Sequence, residues 1–325
     1  MLFKATGKYK IIDDNGYDDK MNQIHSEFEK HKETGFFNSF DGAKLFYEYI
    51  RTENAKASIV IVHGYTEFTK KYYELAWYFL NSGYNVYLYD ARSHGLSHRY
   101  TDDFQMTHID RFEDYVEDLN SYIDTVVIPT NSGTDVYLFG HSMGGATVAM
   151  FNAKYPYKAK KAVLSAPMIY PVCPPLPRQI LRFLIKGEAR KFGWNAKFKF
   201  SSDFNPDAKV EKSHDLSKSR FEYNLRMRVK EVRYQNSYST NKWNFEAVSI
   251  IDRILDKKVA SKTKAKSLVI SAGKDTAVKL RPQKRYARLV KAQYLYFPES
   301  THSLYTLPSD ILGTFIGTLV KFYNK

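Results

Sequence analysis

Asp135-Val-Tyr-Leu-Phe139, Gly140-His-Ser142-Met-Gly-Gly145 and Ala146-Thr-Val-Ala-Met-Phe-Asn-Ala153 follow one another without a break. An apolar run of strand formers meets a Gly-x-Ser-x-Gly turn, and an Ala/Met-rich run of helix formers begins at once. That succession is what a nucleophile elbow requires, a sharp strand-to-helix turn that lifts a serine hydroxyl clear of a sheet. Side chains at Gly140 and Gly144 would collide with the neighbouring strand and helix where the backbone doubles back. The amide after the serine, that of Met143, would open a helix, where backbone donors and the dipole favour a developing negative charge. The five-residue pattern alone recurs by chance in loops; its flanks select the elbow.

A serine hydroxyl needs a base to take its proton and a third group to orient that base. On an α/β-hydrolase scaffold the order is serine, acid, histidine. Only His214 and His302 follow Ser142. His214 lies in the charged stretch Glu211-Lys-Ser-His-Asp215, which reads as a solvated loop. His302 follows the strand-like run Gln293-Tyr-Leu-Tyr-Phe297, at the edge of a parallel sheet where catalytic groups gather. His302 is the expected base. Of the aspartates between them, Asp203, Asp207, Asp215, Asp252 and Asp256 sit in charged, helical or loop-like sequence, as solvated carboxylates do. Asp275 alone directly follows a continuous apolar strand, Ser267-Leu-Val-Ile-Ser271, through a turn containing Gly273. It is the expected acid, with Glu299 as the alternative.

The 325 residues, 43% hydrophobic and 16% aromatic, suffice for one large core plus an insertion. A single cysteine, Cys173, excludes an internal disulfide and suits a reducing compartment. Met1 to Lys10 lack the apolar core of a signal peptide, and no run is long enough to span a bilayer. The expected location is the cytoplasm, with at most peripheral attachment at the inner face of a membrane. Net charge is +14, and it is concentrated. Residues 167–266 hold 22 Lys/Arg against 10 Asp/Glu, while the rest of the chain is nearly balanced.

In order, residues 1–34 read as a polar extension with a short helix near Asp18–His31. Asp13 to Asp18 lacks the ligand pattern of a calcium loop and reads as a turn. Residues 35–50 form a hairpin about Asp41-Gly42. Ser58-Ile-Val-Ile-Val62 is apolar throughout, as a strand covered on both faces must be. The loop after it, His63-Gly-Tyr-Thr-Glu67, is placed to supply a second oxyanion donor, the Tyr65 amide. His63, Arg92 and His94 read as bracing groups. Helical periodicity over 70–82 stops at Gly83, and Phe112 to Val126 carries one apolar face. After the strand Lys161–Ala166, the prolines at 167, 171, 174, 175 and 177 leave the sheet. About a hundred residues without strand–helix alternation follow before Ser267 resumes it. A last helix, 309–323, closes the chain.

Taken together, the chain resembles the monoacylglycerol lipase and lysophospholipase branch of the α/β-hydrolases over about residues 35–323. The likeness rests on His63-Gly64, Asp90-x-Arg92-x-His94-Gly95-x-Ser97, Gly140-His-Ser-Met-Gly-Gly145, Gly273-x-Asp275 and His302. It implies an α/β fold, with a mostly parallel central sheet, helices on both faces and an inserted helical cap. The domains expected are an extension (1–34), a core (35–166 and 267–325) and a basic cap (167–266). The likeness also implies Ser142 as nucleophile, Asp275 and His302 as its partners, and the Tyr65 and Met143 amides as oxyanion hole. Ser93 stands where the family usually has glycine, which should alter the turn slightly. Asn241-Lys-Trp243 resembles a segment near the entrance of lysophospholipase-like members, which makes Trp243 a candidate substrate contact.

The function expected is hydrolysis of monoacyl lipid esters through an acyl-enzyme, without metal or organic cofactor. An apolar, basic cap would line an acyl pocket and draw the protein to anionic lipid, at about 1 kcal/mol per basic residue near the surface. A solvated basic face is the plainer account of that charge. The alternatives are a small-ester carboxylesterase or a proline-type aminopeptidase on the same scaffold. A peptidase would need an acidic group in the cap to hold a substrate amine. A non-catalytic basic binding protein is the third class, but no nucleic-acid motif is present and nucleic acid is not an expected partner.

Overall fold

A computed structural model describes residues 1–325 apart from Cys173 and Pro175. The sequence readings of Cys173, and of Pro175 within the proline cluster, therefore lie outside the described residues. The strands are β1 (Glu33–Asn38), β2 (Lys44–Ile50), β3 (Ser58–Val62), β4 (Asn85–Tyr89), β5 (Met106–Thr107), β6 (Val136–His141), β7 (Lys161–Ser165), β8 (Tyr238–Ser239), β9 (Lys266–Ala272) and β10 (Gln293–Phe297). Eight form one sheet in the order β1-β2-β4-β3-β6-β7-β9-β10. β2 is antiparallel to both its neighbours, and every other pairing from β4 to β10 is parallel.

The central strands are apolar throughout because both their faces are covered. Alternate residues of β3 divide between two cores: Val60 and Val62 join one, Ile59 and Ile61 the other. β6 divides likewise, Leu138 to the first and Phe139 to the second. The first core is closed by the helices Phe112–Tyr122, Met143–Lys154 and Leu280–Leu289, the second by Tyr73–Asn81 and Ser309–Asn324. β10, at an edge, leaves much of its length exposed.

The N-terminal stretch is less of an appendage than its polarity suggests. Its helix, Tyr17–His31, buries Tyr17, Met21, Ile24 and Phe28, a helical stripe that joins the second core. Ahead of it, the Phe3 amide donates to the Arg51 carbonyl at 2.8 Å.

Between β7 and β9 the chain forms the helices Arg178–Phe192, Lys218–Lys230 and Asn241–Ile254, with a short turn of helix at Lys257–Ala260. Two of the many ties between this segment and the rest bury polar groups. β8 pairs in parallel with β5, in the loop beyond β4. Arg220, fully buried, pairs with Glu74 at 2.7 Å and Asp14 at 2.9 Å.

Candidate active site

Ser142 sits between β6 and the helix Met143–Lys154, at φ 50° and ψ −115°. A non-glycine residue in that region carries on the order of 1–3 kcal/mol of strain, which its surroundings must hold in place. Here they leave no slack. A Cβ on Gly140 would lie 2.7 Å from the Gly144 carbonyl oxygen, and one on Gly144 would lie 2.1 Å from that of Val62. Strand, turn and helix therefore pack backbone against backbone, and the serine is carried to the carboxyl end of β6.

His302 lies in the loop after β10, and its Nε2 is 2.8 Å from Ser142 Oγ. Its Nδ1 is 2.8 Å from Asp275 Oδ2, in the loop after β9. The three side chains thus meet from loops 133 and 27 residues apart in the chain, as the sequence order anticipates. Asp275 is held from behind as well, its other oxygen accepting the Ala277 amide at 2.8 Å and the Val278 amide at 2.9 Å. Burial by itself would raise this carboxyl. The hydrogen bond and charge of His302, with those two amides, outweigh burial and hold it below the usual carboxylate range. Glu299, the alternative acid, is 71% exposed and pairs with Lys274 instead.

The Tyr65 amide, in the loop after β3, and the Met143 amide, first in its helix, have no acceptor among the described residues. Met143 directly follows Ser142, and Tyr65 lines the same cavity. The bracing groups hold the Tyr65 loop. His63 Nδ1 is 2.7 Å from the Gly64 carbonyl oxygen, and its Nε2 accepts the Ala91 amide at 2.9 Å. His94 Nε2 accepts the Thr66 amide at 3.2 Å. Arg92, buried, is paired with Asp118 and Asp41. Ser93 adopts φ 62°, and its hydroxyl donates to the His108 carbonyl at 3.0 Å. That bond helps to hold a turn that glycine would enter freely.

The Tyr65 loop also carries Glu67, whose role sequence reading passed over. It accepts the Gly64 amide at 2.6 Å, the hydroxyls of Tyr72 and Tyr305, and Lys71 at 2.9 Å. Burial opposes its charge, but Lys71, His141 and the two tyrosines keep it ionised far below the normal range. A charged residue in a strand-end loop was the available signal, without any hint of its partners.

A cavity of about 400 Å³ opens at Ser142 and His302. Its lining includes Tyr65, Thr66 and Ala277 from the core, and Asp203, Phe204, His214, Arg228 and Asn236 from the segment between β7 and β9. His214 lies in an exposed loop, as expected, but that loop borders the site: its ring centre stands 5.7 Å from that of His302, and its Nδ1 is 3.2 Å from Thr276 Oγ1. Desolvation, then the neighbouring His302, lower its pKa. Trp243, a candidate substrate contact, does not line this cavity. Its ring packs 4.4 Å from that of Tyr65 and its indole N–H donates to Tyr115 at 3.2 Å, so it backs the wall from inside the core.

Comparison with known proteins agrees with this architecture. A "probable lysophospholipase L2" of Haemophilus influenzae is 29% identical over 242 residues, 72% of this chain and 74% of that one. Lysophospholipase L2 of Escherichia coli is 31% identical over 143 residues, 44% of this chain and 42% of its own length. Among solved structures, a soluble variant of monoglyceride lipase from Saccharomyces cerevisiae superposes with a TM-score of 0.70 at 15% identity, covering 90% of this chain and 94% of that one. The family described as Hydrolase_4, serine aminopeptidase S33, matches residues 53–306. The chain belongs to that family of α/β-hydrolases, on the branch that holds lysophospholipases and monoacylglycerol lipases.

Proposed function

We propose that this protein is a serine hydrolase that cleaves the carboxylic ester of monoacyl lipids, a lysophospholipase or monoacylglycerol lipase. The observation that carries the reading is the pair of 2.8 Å contacts, Ser142 to His302 and His302 to Asp275, opening on a cavity. Ser142 Oγ attacks the ester carbonyl as His302 Nε2 takes its proton. Asp275 holds the imidazole tautomer and stabilises the cation that forms. The Tyr65 and Met143 amides receive the oxyanion, each worth on the order of 3 kcal/mol in the transition state. His302 returns the proton to the departing alcohol, and water then releases the fatty acid by the same steps in reverse.

Residues 167–266 act in this reading as the cap. Their helix Arg178–Phe192 turns Leu181, Ile185 and Ala189 inward yet leaves Ile180, Phe183, Leu184 and Phe192 exposed, Phe183 at 69%. Exposed apolar residues interspersed with Lys186, Arg190 and Lys191 suit the surface of an anionic membrane. No helix among the described residues is long and apolar enough to cross one.

Asp203 favours a second reading, because it supplies the acidic group in the cavity wall that an aminopeptidase would need. It is, however, paired with Lys197 at 2.5 Å and 71% exposed, so it is a weak anchor for an amine. Turnover of lysophospholipids, monoacylglycerols and aminoacyl p-nitroanilides, together with fluorophosphonate labelling, decides between them. The lipid esters should be hydrolysed and Ser142→Ala should abolish both labelling and turnover. Labelling that persists in Ser142→Ala removes Ser142 from the mechanism, and a preference for the anilides selects the peptidase.

A further inference from the structure

One cation lining the cavity forms no ion pair among the described residues. Arg228, near the end of the helix Lys218–Lys230, is half-buried and lines the same cavity as Ser142 and His302. The other arginines of this segment that are withdrawn from solvent are all paired: Arg178 and Arg182 with Asp252, Arg220 with Glu74 and Asp14. Arg228 forms no ion pair among the described residues. Its Nε donates to the Tyr234 carbonyl at 3.1 Å and its Nη2 to the Asn236 carbonyl at 2.6 Å. The ring of Phe204 lies 4.6 Å away. These contacts fix the plane of the guanidinium but do not neutralise it. Of its five N–H groups, both on Nη1 and one on Nη2 remain, an end-on fork of the geometry that two phosphate oxygens accept.

The lack of an anion leaves a mark on the group itself. Desolvation lowers the Arg228 pKa to about 10, which the more distant charges of Glu67 and Asp215 offset only in part. A charge withdrawn from water without a counter-charge is costly, and an anionic ligand removes that cost. Asp203, the one carboxylate among the described lining residues, already faces Lys197. Asn236 and Ser237 add neutral polar groups to the same wall.

Resting on the ester-hydrolase reading above, we propose that Arg228 binds the phosphate of a monoacyl phospholipid whose ester carbonyl lies at Ser142. The substrate class is then the lysophospholipids, with monoacylglycerols as poorer substrates lacking the anion. Arg228 is a specificity residue and takes no part in bond breaking.

The test compares kcat/KM for a lysophosphatidylglycerol and for a monoacylglycerol of the same acyl chain, both below their micellar range. The unmodified protein should favour the phospholipid. Arg228→Gln should lower the ratio of the two values about 10- to 100-fold, the range of a hydrogen bond to a charged group. Arg228→Lys, which keeps the charge and loses the fork, should fall between. Because Arg228 also holds two backbone carbonyls, a second measurement uses the unmodified protein alone. Glycerol 3-phosphate should compete with hydrolysis of p-nitrophenyl butyrate, and glycerol should not.

A ratio unchanged in Arg228→Gln, with both substrates falling together, overturns the assignment and leaves a structural arginine. Competition by glycerol 3-phosphate without any preference for the lysophospholipid overturns it too, in favour of a free phosphate ligand. A protein inert to p-nitrophenyl butyrate as well as to both lipids would overturn the hydrolase reading beneath it.

Discussion

Replacing Arg220 by Met removes a cation that is 0% exposed and joins three parts of the chain. Its Nε and Nη2 both reach the Glu74 carboxylate, at 3.0 and 2.7 Å, in the helix Tyr73–Asn81. Nη1 reaches Asp14 at 2.9 Å and Nη2 the Ile12 carbonyl at 2.9 Å, in the N-terminal stretch. After the change, Asp14 keeps Ser219 at 2.7 Å and the Ser309 amide at 2.8 Å, and is a third exposed to water. Glu74 is worse placed: buried, it retains among the described residues the hydroxyls of Tyr17 and Tyr78 at 2.8 and 2.7 Å. The loss is therefore that of an uncompensated buried carboxylate, about 3–5 kcal/mol. Against a total stability of about 5–15 kcal/mol this is large. Adding Glu74→Gln removes the stranded charge, so the double variant should recover about 2 kcal/mol over Arg220→Met alone. Urea unfolding followed by far-ultraviolet circular dichroism measures all three proteins. An Arg220→Met protein within about 1 kcal/mol of the unmodified one, or a double variant less stable than the single, would refute the reasoning. Arg228 lies eight residues along the same helix, roughly 12 Å. Loosening this anchor should therefore also shift KM for lipid more than kcat.

Asp275→Asn should lower kcat for any ester by about 10⁴ with little change in KM, since the imidazole loses its orienting acceptor; steady-state kinetics read this. The carboxyl of Asp275 is also lower in the folded state than its unfolded value of roughly 3.9. It thus stabilises the fold above that pH and stops doing so as pH falls through the folded value. The stability gap between the unmodified protein and Asp275→Asn should accordingly be full at pH 7 and shrink below about pH 4, as urea unfolding at several pH values would record; a constant gap sinks the idea. Gly144→Ala puts a Cβ 2.1 Å from the Val62 oxygen and 2.6 Å from that of His63. It should displace the Met143 amide and cut fluorophosphonate reactivity at least about 10-fold, with about 1–3 kcal/mol of stability lost to overpacking. Phe183→Asp should lower the fraction sedimenting with anionic vesicles, and equal binding of both proteins would remove that face from membrane contact.

Some of the site could be read residue by residue. The elbow was legible because strand, turn and helix are contiguous, and Gly140 and Gly144 answer to steric demands within a few residues of themselves. Asp275 and His302 were legible because each follows an apolar strand, and a strand buried on both faces announces itself in composition. The nearness of His214 to His302 and the inward packing of Trp243 were not legible, for a shared reason. Both residues lie in the segment between β7 and β9, where charge or aromatic content says how much surface a residue could bury but not against what. The stripe Tyr17, Met21, Ile24 and Phe28 was visible at helical spacing, yet charged neighbours obscured its membership of the core.

The sequence by itself determined the strands of the main sheet, several of the helices that cover it, the elbow and the identity of the residues beside it, because those depend on local backbone preference and on the period of apolar side chains. Only the tertiary structure decided that Arg220 meets Glu74 across 146 residues, that the Glu67 carboxylate turns back to the Gly64 amide, and that Arg228 lines the cavity of Ser142 with no ion pair among the described residues. A charged side chain carries no mark of its partner in the chain, and whether it ends paired, solvated or stranded depends on which distant elements pack around it.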